Sequence, residues 1–275
     1  MSAAELALHW GNSMRNFWLF LAILLTVAAT RGATQAAVSP SVLVVGGAMS
    51  AGPHFIASTR AVLQRHYAGC QKIVLVLHAD LPRDRSRREV QLKAAFGEIG
   101  FAHVESLHHA DLAGQRMLLE QADGIFVSGG ETFVLLAELY RTGQLDLIRS
   151  RVAAGVPYGG SSAGANVAGR LIGTTNDFPV AEIPSRRALA IFPAVINPHH
   201  PAPSAPGDFD YRAQRINNYL GFNPTEIVLG LGNGAMARLH DGRVTLEAGL
   251  GWVYQAKGRR SLVPGDLIPE LLPEK

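Results

Sequence analysis

The run Gly159-Gly160-Ser161-Ser162-Ala163-Gly164 sets a serine hydroxyl between glycines two positions to either side. Gly-x-Ser-x-Gly between a strand and a helix makes a sharp turn that lifts the serine above the sheet edge. The N-terminus of the following helix then offers free backbone N–H groups to a developing oxyanion. The chemistry this suits is nucleophilic attack on a carbonyl, with Ser162 carrying the acyl group between two steps. A second glycine turn, Ser128-Gly129-Gly130-Glu131-Thr132, also follows an apolar run. The serine turn lacks the Lys-Ser/Thr of a P-loop and the GxGxxG spacing of a dinucleotide site, so it does not read as a phosphate cradle.

A serine nucleophile needs a base, and histidine is the usual one. Of the ten histidines, His9 lies in the leader, and His54, His66, His103 and His240 read as helix or turn residues. His78, the pair His108-His109, and His199 with His200 each follow an apolar, strand-like run and reach a sheet edge. Position alone does not choose among them. For the group that holds the imidazole, Asp177 in Thr174-Thr175-Asn176-Asp177-Phe178-Pro179 follows closely after the serine's helix, although it also reads as a capping aspartate ahead of a proline. Asp208 and Asp210 fall in a Pro/Gly-rich stretch read as a loop. His108-His109 with Asp111 invites a metal reading, but no HExxH or cysteine spacing accompanies it, and neither a metal nor a cofactor is expected.

The elements that must position these groups follow from periodicity. Residues 41–45, 73–77, 104–107, 124–127 and 156–159 are short, mostly unbroken apolar runs, the mark of strands covered on both faces. Between them, residues 55–66, 87–96, 112–121, 131–142 and 145–154 carry helical patterns, and residues 163–171 another. Strand and helix in alternation predict a doubly wound α/β fold, a mostly parallel sheet with helices on both faces. Ligands of such sheets bind at the carboxyl ends of the strands, where both glycine turns fall. Four short strands are expected between residues 227 and 254, and a loose Pro-rich tail after Leu262.

The chain has 275 residues, 48% hydrophobic and 17% charged, which suits one domain. Arg15, the apolar run from Phe17 to Leu25 and the small residues up to Ala37 have the three parts of a secretory signal peptide. Residues 1–36 are therefore expected to be a leader and 37–275 the catalytic domain. That organisation implies a periplasmic or secreted protein, touching the membrane only through an uncleaved leader. The net charge is +3, and the densest basic cluster, Arg83, Arg85, Arg87 and Arg88, is interleaved with Asp80, Asp84 and Glu89. This is the composition of a solvated helix start, and no nucleic-acid partner is expected. Cys70 is the single cysteine, so no intramolecular disulfide forms, and it reads as a near-core residue.

Taken in order, Gly129-Gly130-Glu131-Thr132-Phe133, Ser162-Ala163-Gly164-Ala165-Asn166, Thr174-Thr175-Asn176-Asp177, Asn197-Pro198-His199 and Arg212 with Gln214-Arg215-Ile216 resemble the motifs of the peptidase E family. These are aspartyl dipeptidases, serine peptidases with a glutamine-amidotransferase-like fold. The resemblance runs from about Gly124 to Tyr254. It implies Ser162 as nucleophile, His199 as general base and Asp177 as the acidic member. It also implies an oxyanion hole from the N–H groups of Gly130 and Ala163, and Arg212 as a partner of the substrate's acidic side chain. The substrate is then a short peptide, with an N-terminal aspartate as the family's preference. The chain departs from the family at Glu131, where an asparagine is usual, at His200, where phenylalanine is usual, and at the bulkier Phe209 and Tyr211. Asn233 stands where some members carry a glutamate that orients the histidine. Two other readings remain: a cyanophycinase-like peptidase, expected to hold arginine on an acidic surface, and an inactive binding protein in which Ser162 and His199 do not meet.

Overall fold

The computed structural model describes residues 39–272, so the leader expected at 1–36 lies outside the described residues. The chain opens with β1 (Val42–Val45), a small hairpin of β2 (Ser50–Ala51) and β3 (His54–Phe55), and helix α1 (Ala57–His66). It then alternates β4 (Lys72–Val76), α2 (Pro82–Glu98), β5 (His103–Ser106), α3 (Leu112–Glu120) and β6 (Gly124–Val127). Two helices follow, α4 (Thr132–Arg141) and α5 (Gln144–Ala153), and then β7 (Tyr158–Ser161) with α6 (Ala163–Ala168). The last part holds β8 (Val195–Asn197), α7 (Pro206–Phe222), β9 (Val228–Leu231), β10 (Met236–His240), β11 (Arg243–Ala248), β12 (Gly251–Gln255) and β13 (Gly258–Leu262).

The main sheet has seven strands in the order β11-β10-β1-β7-β6-β4-β5. The five from β1 to β5 are parallel, and β10 and β11 add on antiparallel beside β1. This is the α/β architecture that the apolar runs predict, and the reason is visible residue by residue. Val42, Val44, Val74 and Val76 join one core cluster, whereas Leu43, Val45, Ile73 and Leu75 join another on the opposite face. With both faces covered by helices, neither set of alternate side chains meets water, and the strands read as unbroken apolar sequence.

The late strands do not all extend that sheet. β13, β12, β9 and β8 form a second, four-stranded sheet, with β8 and β9 parallel. Its covering helix is α7, at the stretch expected to be a loop. Pro206 at the first helical position is a start signal that its neighbours Pro203 and Gly207 obscure. The tail after Leu262 is also anchored at least to residue 272. Ile268 and Leu271 are buried, and Val244 accepts from the Ile268 N–H at 2.9 Å. Cys70 is half-buried, its Sγ donating to the Asp123 carbonyl at 3.1 Å, and burial pushes its thiol up to about 11, well away from reactive thiolate chemistry.

The second sheet encloses a buried imidazole. His200 stacks on Trp252 with ring centroids 4.4 Å apart, its Nδ1–H donates to the Pro201 carbonyl at 2.9 Å, and its Nε2 accepts from the Tyr254 hydroxyl at 2.7 Å. Both nitrogens are satisfied by the neutral ring, and burial pushes its pKa down to about 4. Because the folded value lies below the unfolded one, the contribution is complete above about pH 6.5 and is lost as pH falls toward the folded value. Going from about pH 7.5 to pH 5, the His200→Phe variant should lose about 1–2 kcal/mol less unfolding free energy than the natural chain. Urea melts at the two pH values measure this, and equal losses would show that His200 does not titrate on unfolding.

Candidate active site

Ser162 sits at the junction of β7 and α6 with φ 53° and ψ −110°, a conformation an L residue holds only when its surroundings impose it. On one side its N–H donates to the Val45 carbonyl at the end of β1. On the other, Gly164 packs so tightly that a Cβ there would lie 2.2 Å from the Val127 carbonyl oxygen. A glycine is therefore required two residues after the serine, and the turn takes the sharp form expected of a nucleophile elbow.

His199 arrives from the second sheet. It follows β8, and its N–H donates to the Gly46 carbonyl at 2.8 Å, tying the loop after β8 to the loop after β1. Gly47 supplies the bed on which the ring lies. Its φ is +112°, and a Cβ there would sit 2.1 Å from His199 Cε1. The result is a chain of three side chains. Ser162 Oγ lies 2.8 Å from His199 Nε2, and His199 Nδ1 lies 2.7 Å from Asn233 Oδ1. The amide oxygen can only accept, so Nδ1 carries the proton and Nε2 presents its lone pair to the serine hydroxyl. That is the tautomer a general base requires.

Asp177 is not part of this chain. Its Oδ2 accepts from the Thr132 N–H at 2.8 Å and from Thr132 Oγ1 at 2.5 Å. Thr132 opens α4, whose own N-cap residue, Glu131, makes no side-chain cap. Asp177 thus caps α4 from a distant loop and fixes the glycine turn Ser128–Glu131 ahead of it. The capping alternative describes where this carboxylate lies, and Asn233 takes the position next to the imidazole. Burial, and then the nearby Asp177 charge, raises the Glu131 pKa.

Gly130 and Ala163 flank the serine. Gly129 and Gly130 line the cleft in front of Ser162, and a Cβ on Gly129 would come within 2.9 Å of the Ser162 Cβ. Ala163 is the first residue of α6, so its N–H has no acceptor within the helix. The two turns that carry these N–H groups thus meet at the Ser162 side chain.

Arg212 lies behind the histidine. Its Nη1 donates to Asn197 Oδ1 at 2.9 Å and to the Pro198 and His199 carbonyls at 3.3 Å each, and it does not line the cleft. Through these bonds it holds the histidine's loop in place. The cation that does line the cleft is Arg88, one of the cluster read as a solvated helix start. Two of its donors reach Asp80 Oδ1 at 3.4 Å, and Asp80 Oδ2 in turn accepts from Ser128 Oγ at 3.1 Å. The clue in sequence is weak: α2 begins just past the carboxyl end of β4, so one face of its first turns reaches the binding edge of the sheet. The cleft measures about 280 Å³ and includes Gly47, Phe126, Gly130, Ser162 and His199 among its walls.

The profile of Peptidase family S51 matches residues 41–247. The chain belongs to this family. Peptidase E of Haemophilus influenzae is 39% identical over 171 residues, 62% of this chain and 77% of that protein. Peptidase E of Pasteurella multocida is 36% identical over 197 residues, 70% of this chain and 83% of that protein. Among solved structures, a peptidase from an acI-B1 actinobacterium superposes with a TM-score of 0.64 at 17% identity, covering 85% of this chain and 98% of that one. That last likeness concerns the fold alone. As a member of an S51 peptidase family, the chain is a hydrolase acting on peptides.

Asn233 and Asp177 can be separated experimentally. Asn233→Asp should move the acid limb of the pH profile of kcat/KM upward by about one unit, because a charge beside Nδ1 favours the imidazolium. Asp177→Asn should leave that limb in place and lower the unfolding free energy by about 1–2 kcal/mol through the loss of a charged cap. A shifted limb in the Asp177 variant would assign Asp177 to the imidazole instead.

Proposed function

We propose that the chain is a serine dipeptidase that hydrolyses short peptides whose first residue carries a carboxylate. The observation behind this reading is the 2.8 Å contact between Ser162 Oγ and His199 Nε2 at the wall of a small cleft whose charged wall residue, apart from the histidine, is Arg88. His199 takes the hydroxyl proton as Ser162 attacks the carbonyl carbon, and the N–H groups of Gly130 and Ala163 receive the negative charge on the carbonyl oxygen. The imidazolium then returns its proton to the leaving amine, and water, activated by the same histidine, releases the acyl group from Ser162. A space of about 280 Å³ suits a substrate of dipeptide size.

Arg88 is the partner we assign to the substrate's carboxylate. A guanidinium pairs with a carboxylate through two parallel hydrogen bonds, and Arg88 keeps donors beyond those spent on Asp80. A cyanophycinase-like substrate, with its arginine side chains, needs acidic walls, and none of the described residues lining this cleft is acidic. An inactive binding protein is disfavoured by the meeting of Ser162 and His199. We also propose that residues 1–36 direct the enzyme out of the cytoplasm, on the strength of their leader-like pattern.

Ser162→Ala should abolish hydrolysis of Asp-X dipeptides at an unchanged melting temperature, and retained turnover would overturn the serine mechanism. Arg88→Ala should lower kcat/KM for Asp-X by about 10–100-fold, as expected for one charge-assisted contact, while Ala-X changes less than threefold. Equal losses for both substrates would remove Arg88 from the recognition of the side chain.

A further inference from the structure

Three ligating side chains converge beside α2 where β5 ends. Glu89 is buried, with 7% of its side chain exposed, and its Oε2 lies 2.6 Å from His109 Nε2 and 3.7 Å from His108 Nε2. One donor atom from each of the three residues falls within 4.8 Å of the others. The His108 ring is itself nearly buried and is held from behind, its Nδ1 lying 2.6 Å from Ser106 Oγ. With Nδ1–H donating to that hydroxyl, the lone pair of Nε2 faces the Glu89 carboxylate, and among the described residues Ser86 Oγ at 3.4 Å is its hydrogen-bonding neighbour. Metal-ligating histidines are oriented in this way, by a hydrogen bond on the nitrogen that does not bind. The other Glu89 oxygen, Oε1, is held by Lys93 Nζ at 2.7 Å, so Oε2 is the oxygen turned to the two imidazoles. Arg85, the other cation nearby, spends its guanidinium on the His78 and Asp80 carbonyls.

We propose that Glu89, His108 and His109 bind one dication of the zinc class, through Oε2 and the two Nε2 atoms, with a fourth position open to water. Two imidazoles and one carboxylate are a donor set that zinc accepts. Bonds of about 2.1 Å in a tetrahedron put ligand atoms about 3.4 Å apart, so the Glu89–His108 spacing already fits. His109, with 60% of its side chain exposed, has room to swing outward from hydrogen-bond distance to ligand distance. Asp111, the carboxylate that the sequence places beside these histidines, takes no part: its Oδ1 accepts from the Gly114 N–H and caps α3. The bound ion clamps α2 to the turn after β5. Since α2 also carries Arg88 and Leu92 into the cleft wall, that clamp stiffens the wall from outside it.

The test uses the full chain, treated with chelator and dialysed, then titrated with Zn²⁺ alone by calorimetry and with Co²⁺ alone by visible absorption. The expected result is uptake of one equivalent with a raised melting temperature. His109→Gln, whose amide N–H can still donate to Glu89 Oε2, should keep the metal-free melting temperature and should bind at least about tenfold more weakly. His54→Ala, at the separate His54–Glu98 contact, should bind as the natural chain does. No saturable uptake, or an unchanged affinity in the His109 variant, would overturn the proposal.

Discussion

The catalytic contact depends on the close approach of three loops that leave no space for side chains. Ser162 reaches His199 because the loop after β1 lies directly beneath the imidazole at Gly47 and the elbow helix presses against Val127 at Gly164. A methyl group at either place would collide with a ring or with backbone, and hydrogen bonds cannot stretch by an ångström and survive. The parallel strands β1, β7 and β6 supply the rigidity, since each loop leaves the sheet at a position fixed by its register. The backbone ties Ser162 to Val45 and His199 to Gly46 then join nucleophile and base to consecutive residues of a single strand end.

Around that contact the polar groups divide their work. Arg212 gathers the carbonyls of the histidine loop, Asp177 caps the helix behind the oxyanion turn, and Asp80 bridges that turn to Arg88 through Ser128. Each is a charged group whose partner is backbone or another polar side chain of the scaffold. This is how a site of modest volume keeps its donors aimed.

Much of this was legible in sequence, for physical reasons. Strands buried on both faces leave unbroken apolar runs, and an elbow leaves glycines at fixed offsets, so the main sheet and Ser162 could be read directly. Histidine was harder, because several rings reach a sheet edge and only the ordered motifs single out His199. The partner of Nδ1 was harder still. Asp177 has the expected charge and neighbourhood, but whether a carboxylate faces a ring or a helix end depends on loop geometry that sequence spacing does not carry. Arg88 was concealed for a related reason: a helix dense in charge presents one face to water and another to the cleft, and composition averages over both. The helix over Pro206–Phe222 was masked by its own start signal, since proline and glycine punctuate loops and helix N-termini alike.

Asn233 gives the site an electrical character of its own. Each turnover creates an imidazolium, and in this chain the group behind it is a dipole, not an anion. The oxyanion in front of Ser162 is brief, and Arg88 adds a second positive charge to the same cleft. A substrate that brings its own carboxylate therefore helps to neutralise the enzyme during the proton transfer. Preference for an acidic peptide would then appear in the speed of the chemical step as well as in the strength of binding.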